Sequence, residues 1–256
     1  MIGWIVMSAA AAVLAAAAIL KAVDAAANRL EWPTGPVLLR WRIPVGLAVT
    51  GEVLAAVAVV VAPGRWTAAA VLAGAYGVLA LAAHTLRGSQ CACFGALGGR
   101  VTTWHVAADV AVIPVVAAAA ALAGPAPAIP LRAGMVAVIT AAVAGTVTVL
   151  SRRRRRIVRD STSDCLRHAH HVRVLTLKGC SGCEALLTLR GGRGGAVVWH
   201  QVTGDDDPYA RDADGQFPCA IVVDDEGRAL CPPVWGLADI DDLLDRQTAL
   251  ALDGAG

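Results

Sequence analysis

The sequence predicts an α-helical membrane bundle of five transmembrane helices followed by a small α/β domain. Apolar residue types make up 57% of the 256 positions and charged types 16%, a composition of the membrane class. Five stretches, 2–20, 43–62, 67–86, 104–123 and 129–150, each come close to the ~20 apolar residues a spanning helix needs. Polar residues gather in the last third, where roughly 100 residues suit one soluble domain.

The first stretch has no basic residue ahead of a long apolar run, so it reads as a retained helix and not a cleaved leader. Lys21, Arg29, Arg40 and Arg42 follow the first span, Arg87 and Arg100 the third, and five arginines at 152–156 the fifth. Arg65 and Arg132 fall in the other loops. The positive-inside rule then puts the C-terminal domain in the cytoplasm of a multi-pass inner (plasma) membrane protein. The arginine run reads as an anchor at the anionic lipid surface and not as a nucleic-acid patch, so the lipid bilayer is the expected partner and nucleic acid is not.

Turns separate the spans. Pro33, Gly35 and Pro36 break the first connection, Pro63-Gly64 the second, and Gly124-Pro125-Ala126-Pro127 the fourth. The domain organisation is a helical membrane part over 1–150, a basic and polar linker over 151–170, and a soluble domain over 171–256.

Within 171–256 the pattern changes to strands. Residues 172–177 form a β-type run, 184–189 a short helix, 196–202 a second strand and 220–224 a third, closed by Asp225-Glu226-Gly227. A fourth strand starts near 228–230, and 237–244 has the spacing of an amphipathic helix. Cys180-Ser181-Gly182-Cys183 lies between the first strand and the first helix. Strand, CxxC, helix, strand, proline, strand, turn, strand, helix is a thioredoxin-like order.

That order assigns chemistry. A helix N-terminus favours a thiolate, so Cys180 is the expected attacking thiol and Cys183, one turn on, the resolving one. Pro218, before the third strand, stands where a cis-proline faces the CxxC, and a cis bond is expected there. The alternatives for the pair are half of a zinc site or an inert pair.

A second pair, Cys91 and Cys93, sits in the loop after the third span. A disulfide between positions i and i+2 of an extended chain is strained, and strained disulfides pass oxidation on readily. The other reading is that each pairs elsewhere or lines a turn ended by Gly95. This loop and the C-terminal domain are two spans apart, so both lie on one side of the membrane.

Glu52 falls near the middle of the second span, where a carboxylate is costly and faces the bundle interior. Lys21, His84, His105 and Asp109 are the polar candidates to share it, for proton handling, for contact with a quinone, or as a polar helix clamp. Cys219 and Cys231 flank the third strand; they pair with each other, or Cys219 exchanges with the CxxC, or both are simply buried. Cys165 with His168, His170 and His171 fits no standard ligand spacing, so no metal is expected. Residues 191–195, rich in glycine, lack the GK[ST] step of a phosphate loop.

Residues 1–123 resemble the MauE family of methylamine utilisation membrane proteins, related in architecture to DoxX-like four-helix proteins. The resemblance is carried by Lys21 with Asp24, by Glu52 in Thr50-Gly51-Glu52-Val53-Leu54, by Cys91-Ala92-Cys93-Phe94-Gly95 and by Asp109. It implies maturation of a disulfide-rich client in methylamine metabolism. The chain departs from the family in its fifth span and its fused C-terminal domain.

The expected function is that of a membrane-bound thiol-disulfide oxidoreductase or redox maturation factor. It exchanges electrons between Cys180/Cys183 and Cys91/Cys93, with a thiol- or disulfide-containing client, a cytosolic reductant and a quinone as candidate partners. A non-catalytic assembly factor and a small-molecule transporter remain the alternatives.

Overall fold

The structure is a computed structural model that describes residues 1–27, 30, 32, 43–87, 90–91, 99–191, 197–204, 206–214 and 216–253. The chain divides into two compact units: Met1–Ala26 with the described part of Gly35–Val149, and a second that includes Leu150–Gly256.

The first unit is built from helices α1 (Ile2–Ala26), α2 (Val45–Val61), α3 (Arg65–Thr85), α4 (Thr103–Leu122) and the first part of α5 (Ile129–Arg167). Four of these, α1, α3, α4 and α5, are long and apolar enough to cross a membrane, which corrects the expected five. The exception is α2. Pro44 stands at its N-cap and Pro63 follows its end, and the residue before a proline is pushed out of the helical region. That leaves 17 residues, about 26 Å of helix against a hydrocarbon layer of about 30 Å.

The bundle core is made of Trp4, Met7, Leu14, Val59, Leu72, Tyr76 and Val116 set among buried alanines such as Ala11, Ala12, Ala68 and Ala120. Lipid gives helices no hydrophobic reason to associate, so small residues that admit close backbones supply the packing. Gly3 shows how close: a Cβ there would lie 2.1 Å from the Ala119 carbonyl oxygen of α4. The two loop arginines bind carbonyls at helix ends, Arg65 that of Ala123 and Arg132 that of Ala62 at 2.8 Å, with Arg132 also 5.1 Å from the Trp4 ring centre.

The second unit holds strands β3 (His171–Leu177), β4 (Val197–Val202), β5 (Cys219–Val223) and β6 (Val234–Trp235), with helices α6 (Ser181–Arg190) and α7 (Leu237–Asp253). A short antiparallel pair, β1 (Gln90–Cys91) and β2 (Gly99–Arg100), belongs to the first unit. The four strands run in the order β4-β3-β5-β6, with β3 and β4 parallel and the other pairs antiparallel. The result is a small mixed sheet with two helices, consistent with a thioredoxin-like architecture.

Strand periodicity divides the core in two. Val172, Val174, Ala220 and Val222 face Leu186 of α6, Leu237, Ile240, Leu243 and Leu244 of α7, and Leu166 at the end of α5. Leu175, Cys219, Ile221 and Val223 face the other way, under Tyr209, Ala210 and Ala213 of the turn-rich segment after β4. Asp207 ties that segment down: it accepts the Tyr209 N–H at 3.0 Å and lies 3.0 Å from His200 Nε2. These bonds hold its carboxyl below the ordinary range.

Three further expectations change. Residues 151–167, expected as linker, continue α5 as one 39-residue helix. No glycine or proline occurs between Gly145 and Gly179, so no breaker interrupts the helix where the linker was expected to begin. The fourth strand is 234–235 and not 228–230, where the described contact is a single bridge from Ala229 to Val223. The last helix runs on to Asp253.

Gly3→Leu is expected to destabilise the detergent-solubilised protein by about 1–3 kcal/mol through overpacking, read as a lower melting temperature. Gly74→Ala, where a Cβ meets nothing within 4 Å, should leave it unchanged.

Candidate functional site

The site forms where β3 hands the chain to α6. The Cys180 N–H donates to the Leu177 carbonyl at 3.2 Å, closing a tight turn in which Gly179 has φ of 77°, a left-handed conformation that suits glycine. Cys180 is the N-cap of α6, and its sulfur accepts the Cys183 N–H at 3.1 Å. Cys180 and Cys183 form a disulfide with Cα atoms 5.2 Å apart. Cys183 is buried, and its sulfur accepts the Leu177 N–H at 3.5 Å; Cys180 is half-buried. The more accessible sulfur is therefore the one at the helix N-terminus, where an anion is favoured.

The Phe217–Pro218 peptide is cis, as expected from its place before β5. In the β3–β5 register Cys219 faces Leu175, so Pro218 lies at the same end of the sheet as the CxxC. Cys219 points to the opposite core from α6. It is a free, buried thiol, and burial together with Asp212 pushes it up to about 12. Its partner in the expected pairing, Cys231, instead forms a disulfide with Cys165, 66 positions away. Sequence reading missed this bond. Its one signal was that Cys165 and Cys231 are left over once Cys91/Cys93, Cys180/Cys183 and the inward-facing Cys219 are set aside.

Cys91 lies on β1, whose backbone pairs with β2. Cys93, and with it the expected strained disulfide, lies outside the described residues.

In the bundle, Lys21 and Glu52 come together as a buried ion pair, 5% and 7% exposed, with the ammonium on Oε1. The second oxygen of Glu52 has no hydrogen-bond partner among the described residues. Asp109 is half-buried on α4 and His84 is exposed near the end of α3. His105 is exposed and closes a capping box with Thr102 at the start of α4.

Among the described residues no cluster of three His, Cys, Asp or Glu side chains suits a metal. An open groove of about 570 Å³ runs between Arg152, Arg155, Arg156 and Arg159 of α5 and Asp241, Asp242 and Asp245 of α7. It does not include the cysteines. Beside it Arg154 and Arg155 approach Asp239, whose carboxyl burial nonetheless raises above the usual range.

No family model, curated protein or solved structure matches the chain. The MauE resemblance rests on the quoted residues.

Two outcomes follow from this geometry. Glu52→Leu, which strands a buried ammonium, should cost about 3–5 kcal/mol, and Lys21→Met in the same chain should recover most of it; a thermal double-mutant cycle reads both. Cys219→Ala should leave thiol exchange unchanged, and in the reduced native protein at pH 8 Cys180 should alkylate while Cys219 does not.

Proposed function

We propose that this chain is a membrane-embedded thiol-disulfide oxidoreductase of the MauE type, with Cys180 as nucleophile, Cys183 as resolving thiol and Pro218 lining the client site. The observation that carries the proposal is the accessible Cys180 sulfur at the N-cap of α6, disulfide-bonded to a buried Cys183.

In the reducing direction the Cys180 thiolate attacks a client disulfide, and one client sulfur leaves as a thiolate. The Cys183 thiolate then attacks Cys180 Sγ, the second client sulfur leaves, and a proton from solvent restores each client thiol. The client gains two electrons, and Cys180–Cys183 is left oxidised. The Cys91 and Cys93 thiols restore it by the same two exchanges, and the disulfide they form is reduced in turn by a thiol reductant, which becomes a disulfide, or by a membrane quinol, which becomes a quinone. Run in reverse, the scheme delivers a disulfide to the client. The order of crossings supports the pairing: α4 and α5 both qualify as spans, so the loop before α4 and the domain after α5 fall on one side of a bilayer.

A second reading, proton-coupled transport, is favoured by the oxygen of buried Glu52 that has no partner among the described residues. In that reading Lys21, Glu52, Asp109 and His84 handle protons. The two readings separate cleanly: redox exchange needs Cys180 and survives Glu52→Gln, whereas transport does the reverse.

Cys183→Ser should accumulate a mixed disulfide between Cys180 and its client, recoverable by non-reducing electrophoresis and mass spectrometry. Cys180→Ser should reduce exchange by several orders of magnitude and trap nothing. Full exchange by Cys180→Ser would remove the nucleophile assigned here.

A further inference from the structure

We propose that Cys165–Cys231 is a permanent clamp within the C-terminal domain, and that it requires this domain to lie on the non-cytosolic side of the membrane.

The clamp and the CxxC occupy opposite ends of the sheet. Cys165 lies near the end of α5, six positions before the start of β3, and Cys180 comes three positions after its end. β5 runs antiparallel to β3, from Cys219 opposite Leu175 to Val223 opposite His171. It returns the chain to the starting end of β3. There the Asp224–Arg228 turn, the Val223–Ala229 bridge and the bond from the Leu230 N–H to the Val222 carbonyl at 2.9 Å hold the residues that lead into Cys231. A strand the length of β3, seven residues, separates the two disulfides by about 23 Å. Thiol-disulfide exchange requires sulfur contact. Cys165–Cys231 therefore takes no part in turnover of the CxxC while the domain is folded.

What the bond does is structural. It joins the end of α5 to the loop before β6, beside the core residue Leu166, with Cys231 buried and Cys165 half-buried. Its formation removes two electrons and two protons from the two thiols, taken up by a disulfide donor that is itself reduced to two thiols. Disulfides without a catalytic partner persist in oxidising compartments and are rare in a glutathione-buffered cytosol.

This reverses the expectation from charge. The charge count itself stands. Trp4 on the Gly124 carbonyl, Arg65 on that of Ala123 and Arg132 on that of Ala62 gather the start of α1, the end of α2 and the α4–α5 connection at one end of the bundle, and the arginines at 152–156 follow α5 at its other end. The disulfide is the observation set against it. The arginine run has a second role besides: Arg154 and Arg155 pair with Asp239, and Arg152, Arg155 and Arg156 line the groove against the acids of α7. The proposal stands whether or not Cys180 turns over. If the oxidoreductase reading also holds, its clients are exported proteins that carry disulfides.

The test uses the full-length chain carrying Glu226→Cys, an exposed turn position. Growing cells are acid-quenched, and Cys165 and Cys231 are typed as free or bonded by differential alkylation and mass spectrometry. In parallel, intact and permeabilised cells are treated with a membrane-impermeant maleimide. The expected result is Cys165–Cys231 more than nine-tenths oxidised and position 226 labelled equally in both. Labelling only after permeabilisation overturns the assigned side, whatever the state of the bond. Labelling in intact cells with Cys165 and Cys231 reduced overturns the clamp.

Discussion

The parallel pairing of β3 with β4 is the constraint on which the soluble unit depends. Two parallel neighbours cannot be joined by a tight turn, so the chain must leave the end of β3, cross over a face of the sheet and re-enter beside its start. α6 is that crossover, and its N-terminus opens at the C-terminal end of β3. The unpaired N–H groups of a first helical turn are thereby fixed at one end of the sheet. Cys180 occupies the N-cap itself, so the sulfur is placed against the Cys183 N–H by the topology and not by a dedicated loop.

The remaining elements hold this crossover in place. α7 packs beside α6, with Arg190 of α6 bound to Asp241 and Asp245 of α7, each at 2.6 Å. Arg246 of α7 reaches back to Thr162 of α5 at 3.0 Å and to the Arg159 carbonyl at 3.2 Å. Among the described residues the opposite face has no helix and is covered by turns that Asp207 anchors. In the membrane unit the same economy of small residues and few polar contacts applies: alanine and Gly3 allow close helices, and Lys21 with Glu52 supplies a buried ion pair that must be kept or removed as a whole.

Much of the soluble unit was legible because its signals are local. The apolar run of β3, the CxxC, the β-type run of β4 and the proline before β5 each declare themselves within a few residues. What was missed depends on distance or on length. Cys165 and Cys231 are 66 positions apart, and no spacing rule links them. β6 has two residues, too few for periodicity. The continuation of α5 was legible after all, in the absence of any glycine or proline before Gly179, but the basic and then polar composition of 151–170 suggested a linker. α2 was overcounted because the apolar stretch 43–62 includes Ile43, Pro44 and Ala62, which lie outside the helix that Pro44 and Pro63 limit to Val45–Val61.

An equilibrium redox titration of the full-length protein, resolved site by site by alkylation and mass spectrometry, tests the central claim most directly. The account predicts that Cys180–Cys183 opens reversibly as a two-electron couple between about −120 and −270 mV, the range of thioredoxin-fold oxidoreductases, while Cys165–Cys231 stays closed. A Cys180–Cys183 bond that remains closed below about −300 mV, as structural disulfides do, would contradict it.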